Sequence, residues 1–127
     1  LKQSLDLALH SEKKIVLLNS YYYKYFATEL ALGSSEKLID DLEKIFVKPA
    51  VVLKIELAID PVANRKKRFS RYECGLAAKP NKQAFILFQK KVGTFWSRFE
   101  DPSWKMLDGG LTEEKVLDQA IAQIESI

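Results

Sequence analysis

The stretch Asn64-Arg65-Lys66-Lys67-Arg68-Phe69-Ser70-Arg71-Tyr72 sets five cations within seven residues and interleaves two aromatics. Cations at this density reward a polyanion through counterion release. Arginine forks onto phosphate or carboxylate, and Phe69 and Tyr72 offer faces for stacking on unpaired bases. Lys90, Lys91 and Arg98 are further candidates if they fall on the same side of the molecule. The pattern predicts a surface for nucleic acid or another polyanion, with Arg65, Lys66, Lys67, Arg68 and Arg71 as the phosphate contacts. The rival reading of the same residues is a solvated hairpin whose charges discourage edge-to-edge pairing, or an import-like tag.

Enzyme chemistry finds few carriers. His10 is the single histidine and Cys74 the single cysteine, and nothing in their spacing brings them together as a nucleophile and its base. The pair also falls short of the ligand count of a zinc site. Glu56, Asp60 and Glu73, with Lys54 nearby, could gather around a divalent ion, but their order matches no defended motif, and Glu56 has Lys54 two residues away to pair with. Gly109-Gly110 could cradle a phosphate ahead of a helix, yet Glu113 and Glu114 in the following turn would repel it. No nucleophile elbow, phosphate loop or dinucleotide fingerprint occurs. No catalytic residue, metal or cofactor is expected.

Two rival functions remain open. Tyr21-Tyr22-Tyr23-Lys24-Tyr25-Phe26 on a helix would point aromatics in nearly every direction, so some could form a patch for a protein partner. The plainer reading seats them at a core boundary with wet hydroxyls. The other rival is a small-ligand pocket between a sheet and the closing helix.

Charge is segregated. Residues 48–98 hold twelve basic and three acidic residues, a balance of +9, and the flanks carry −6. That asymmetry bears on partners and says nothing about fold. Composition is that of a globular chain: 47% hydrophobic and 29% charged residues exclude disordered and collagen-like classes. No apolar run approaches the length of a membrane span. One cysteine and no leader pattern point to an intracellular, reducing compartment, and an opening Leu1 suggests a piece cut from a longer chain.

The elements that must position these residues follow from periodicity. Leu1, Leu5 and Leu9 suggest a first short helix. Ile15-Val16-Leu17-Leu18 reads as a short buried strand, then Tyr21–Leu32 as a helix ended by Gly33. Ser34 or Ser35 caps a third helix with a stripe of Leu38, Ile39, Leu42, Ile45 and Phe46, closed by Pro49. Val51 to Ile59 alternates as a strand, and further strands are expected at 67–76, 85–88 and 94–99. Lys91-Val92-Gly93 would form a hairpin loop, and Trp104–Leu107 an edge strand or helical turn. Thr112 caps a closing helix that buries Leu117, Ala120, Ile121 and Ile124. The expected whole is one α+β domain over 1–127, mainly helical over 1–48 and mainly antiparallel strands over 49–108. Its closing helix covers 112–126, and helices pack on a meander of three to five strands.

Overall fold

The computed structural model describes residues 2–12 and 15–127. In chain order it has α1 (Lys2–Leu9), α2 (Tyr22–Leu32), α3 (Glu36–Glu43), β1 (Val52–Glu56) and α4 (Ile59–Arg65). A 3-10 turn at Tyr72–Cys74 follows, then α5 (Lys82–Trp96), β2 (Trp104–Asp108) and α6 (Glu113–Glu125). The architecture is mostly helical, with one two-stranded parallel sheet among the described residues. Val52 pairs with Trp104 and Glu56 with Asp108.

This corrects the expected antiparallel meander. Residues 82–96 form a continuous helix, where two strands and a hairpin loop were expected. Phe85, Phe88 and Val92 are its buried residues, spaced by three and four, and Asn81 caps it by accepting from Ala84 N–H at 2.8 Å. The block Phe85-Ile86-Leu87-Phe88 is apolar in every register, so a helical stripe hides inside what also reads as an interior strand. Gly93, which was to supply the hairpin turn, instead sits inside the helix. Residues 67–76 carry a loop and the 3-10 turn, with no strand. β1 and β2 run parallel because residues 57–103 cross over between them, as a parallel pair requires.

Other elements match their local signals. Gly33 adopts φ 98° after α2, and its N–H reaches Glu29 O and Leu30 O. Ser35 caps α3, accepting from Leu38 N–H, and Thr112 caps α6, accepting from Lys115 N–H. Pro61 falls in the first turn of α4, where a missing N–H costs no helical bond. Of the third helix's expected stripe, Ile39 is buried and Phe46 half-buried, while Leu38, Leu42 and Ile45 face solvent. Leu117 and Ile121 of α6 are likewise exposed, with Ala120 and Ile124 half-buried.

The core is built around α2. Tyr21, Tyr22, Tyr23, Phe26, Ala27, Leu30 and Ala31 are buried together with Ile39, Phe88, Val92, Phe99 and Trp104. A second cluster of Ala63, Cys74 and Phe85 lies between α4, the 3-10 turn and α5. That smaller cluster carries the basic segment.

Candidate polyanion-binding surface

The basic segment leaves the last turn of α4 and ends at the 3-10 turn, so its setting is helix–loop–turn and not strand–loop–strand. Its loop is short and tied down. The Phe69 ring packs on Phe85 with centroids 5.3 Å apart. Lys66 Nζ lies 2.8 Å from Glu73 Oε1 and over the Phe85 ring. Ser70 donates to Glu73 Oε2 from its N–H at 3.1 Å and from its hydroxyl at 2.9 Å. Gln89 of α5 donates to the Glu73 carbonyl at 3.0 Å. One carboxylate thus organises the loop.

The ion pair with Lys66 and the two Ser70 donors hold the Glu73 carboxyl at about 2, against an ordinary value of 4.5, with partial burial opposing them. A depressed carboxylate adds stability above its ordinary value and loses it as pH falls through the folded value. Wild type is therefore expected to melt above Glu73→Gln at neutral pH, with the gap closing between pH 4.5 and 2. Melting curves of both proteins across that range check this; a constant gap would place Glu73's role outside its charge.

The predicted site residues divide. Arg65, Lys67 and Arg68 are exposed and make no ion pair among the described residues. Arg71 is exposed, and its Nη2 donates to Leu76 O at 3.4 Å. Lys66 is committed to Glu73. Lys90 and Lys91 are exposed on α5 and unpaired, on a helix and not on a hairpin. Arg98 bonds Glu36 at 3.3 Å and Asp40, which ties it to acidic α3 and away from the loop.

Of the two stacking candidates, Phe69 is half-buried under the loop. Tyr72 is exposed, with its hydroxyl donating to Glu29 at 3.3 Å. Lys82, counted in the basic middle but absent from the candidate set, donates to Asn64 Oδ1. That bond brings the start of α5 beside the end of α4 and adds a cation next to Arg65. No local motif marks it; it becomes visible only once α4 and α5 are seen to pack.

The tyrosine run lies mostly inside. Tyr21, Tyr22, Tyr23 and Phe26 are buried, and Tyr25 at 49% exposure is the one ring the run presents to solvent. Tyr21 donates to Val47 O at 2.9 Å and Tyr22 to Glu43 Oε1 at 3.1 Å. Burial raises all three tyrosine hydroxyls above their ordinary value, so they serve as neutral donors.

An open groove of about 430 Å³ lies at the C-terminal ends of β1 and β2, against α5. Lys54, Glu56, Trp96, Asp108 and Gly110 are among its lining residues. Lys54 is already bonded to Glu100 at 2.5 Å and lies 3.4 Å from Glu56, over the Trp96 ring. The groove therefore satisfies its own charges. Among the described residues, no group of three or more His, Cys, Asp and Glu side chains could hold a metal. Glu56 and Glu73 are each engaged by a lysine instead. No helix is long and apolar enough to cross a membrane among those residues. No protein-family model matches the chain, and no curated protein matches it in sequence.

Proposed function

We propose that this chain is a binding module that holds a polyanion, nucleic acid first among them, on the surface formed by the end of α4, the following loop and α5. The carrying observation is the division among its cations. Arg65, Lys67, Arg68, Lys90 and Lys91 point into solvent with no carboxylate partner, although the chain contains seventeen acidic residues. A solvated, purely structural surface gains by interspersing both signs. Here Glu73 takes Lys66 alone, and the outward row stays uniformly positive. Such a row neutralises a phosphate chain by charge and backbone geometry, so weak sequence preference accompanies it.

The test is fluorescence anisotropy with labelled single- and double-stranded oligonucleotides over a salt series. Log affinity is expected to fall linearly with log salt, and each lost phosphate contact lowers the slope by about 0.7 to 0.9. Joint replacement of Arg65, Lys67 and Arg68 by glutamine should weaken binding on the order of 100-fold at low salt, since three phosphate contacts carry a slope of about 2 to 3. The fold should survive, because all three side chains are exposed. Glu73→Gln should act the other way, releasing Lys66 to add one contact. Equal binding by wild type and the triple variant would remove the proposal, as would absence of binding at low salt.

A further inference from the structure

β1 has two edges and uses one of them. Val52 N–H donates to Ser103 O at 3.1 Å, and Glu56 O accepts from Gly109 N–H at 2.7 Å, so Val52, Lys54 and Glu56 turn their backbone toward β2. In a parallel pair the intervening residues aim their N–H and C=O the opposite way. Those residues are Leu53 and Ile55, and their outward groups have no hydrogen-bond partner among the described residues. The far edge of β2 is treated differently. There Trp104 N–H donates to Asp101 O at 2.9 Å, and Asp108 N–H to Gln119 Oε1 at 3.2 Å. One edge is capped and the other is bare. Ile55, at the bare edge, is 61% exposed. An apolar, unpaired edge without proline is a template for another strand.

The same chain carries the complement. Ile15-Val16-Leu17-Leu18 has no helical or strand partner, and none of its backbone groups is hydrogen-bonded among the described residues. Ile15 is 65% and Leu17 78% exposed. Four consecutive apolar residues without glycine or proline make a good strand and a poor solvated loop. Within its own chain this segment leads straight into Tyr21, which is fastened to Val47 O and packed on Phe46, and it stays unpaired there.

We infer that the bare edge of β1 docks Ile15–Leu18 of a second copy of this chain, and that the exchange is reciprocal. A two-fold pair then satisfies both edges and both segments and closes on itself, so it does not propagate as a fibre. Charge selects the direction. The sequence places Lys13 and Lys14 just before the segment, Glu56 and Asp60 after the start of the edge strand, and Lys48 before it. Antiparallel seating brings the lysines toward the acidic end; parallel seating would bring them toward Lys48.

Sedimentation equilibrium on the full chain tests this, with Leu17→Asp in the segment and Ile55→Asp on the edge as variants. Both side chains are largely exposed, so neither change burdens the monomer fold, and circular dichroism checks that. Wild type should reach the mass of two copies. Each variant alone should lose the dimer, because it spoils both exchanged contacts at once. A mixture of the two should recover a pair, since the Leu17→Asp copy keeps its edge and the Ile55→Asp copy keeps its segment. Wild type with the mass of one copy at every concentration would overturn the inference. So would a dimer indifferent to both substitutions, or a monomer whose Ile15–Leu18 amides are protected from exchange, which would mean that the chain covers its own edge.

Discussion

Tyr22→Ala is expected to destabilise the protein by about 3–5 kcal/mol, the cost of removing a large buried aromatic and leaving a cavity. Tyr22 is 1% exposed. Its ring centroid lies 4.6 Å from Tyr21, 4.2 Å from Tyr23, 5.1 Å from Phe26 and 4.8 Å from Phe46, so one truncation strips four aromatic contacts. Helix α2 is the hub of the larger core, and that core joins α3, α5 and β2 through Ile39, Phe88 and Trp104. Typical domains hold only about 5–15 kcal/mol in total, so the variant stands near its unfolding midpoint or past it. Tyr22→Phe separates the hydroxyl from the ring. It removes only the donor to Glu43 and should cost about 1 kcal/mol. Urea denaturation of the two variants beside wild type gives both numbers. A Tyr22→Ala loss no larger than that of Tyr22→Phe would mean that the cluster is not what holds α2.

The tyrosine run shows what the sequence could and could not convey. Six near-consecutive aromatics on a helix spread around it, and the sequence allowed either several-sided burial or a presented patch. Burial won because α2 is covered by α3 on one side and α5 on another, a fact of tertiary arrangement with no local signal. Elements set by local chemistry were legible. Gly33 ends α2 through its left-handed backbone, Thr112 opens α6 with a side-chain cap, and the alternation at Val52–Glu56 marks β1.

The failure at 82–96 has a definite cause. A block apolar in every register is consistent with both periods, and the glycine and turn residues around it tipped the reading toward a hairpin. Asn81 was the missed clue. It was taken as a turn residue beside Pro80, but asparagine there is equally a helix cap, and it acts as one. The candidate surface was legible in the same partial way. Residues 65–68 announce their charge by composition, whereas Lys66's commitment to Glu73 and Arg98's to α3 depend on contacts that the sequence does not display.

Gly75→Ala should disturb stability and the candidate surface together. Gly75 has φ +68°, a conformation that costs an L-residue roughly 1–2 kcal/mol. A Cβ there would also stand 2.6 Å from Phe88 Cδ2 and 3.0 Å from Cγ, in a ring held in the core of α5. Overpacking of this kind adds about 1–3 kcal/mol, so a combined loss of about 2–5 kcal/mol is expected.

The position matters because Gly75 follows the 3-10 turn directly. Leu76 N–H returns to Arg71 O at 2.7 Å, closing the basic segment against α5. Relief of the clash must move either Phe88 or that turn, and moving the turn shifts Glu73 with its hold on Lys66 and Ser70. Oligonucleotide binding should therefore weaken in whatever Gly75→Ala protein remains folded. Gly93→Ala is the matched control. Its added methyl meets nothing within 4 Å, and its site is the interior of α5, where alanine is favoured over glycine by about 0.5–1 kcal/mol. That variant should melt above wild type and bind equally well. Thermal melts and anisotropy on the pair decide the matter. If both glycine variants melt alike, the turn at Gly75 is looser than its contact with Phe88 implies. If Gly75→Ala is unstable yet binds unchanged, the phosphate contacts do not depend on how Glu73 holds the loop.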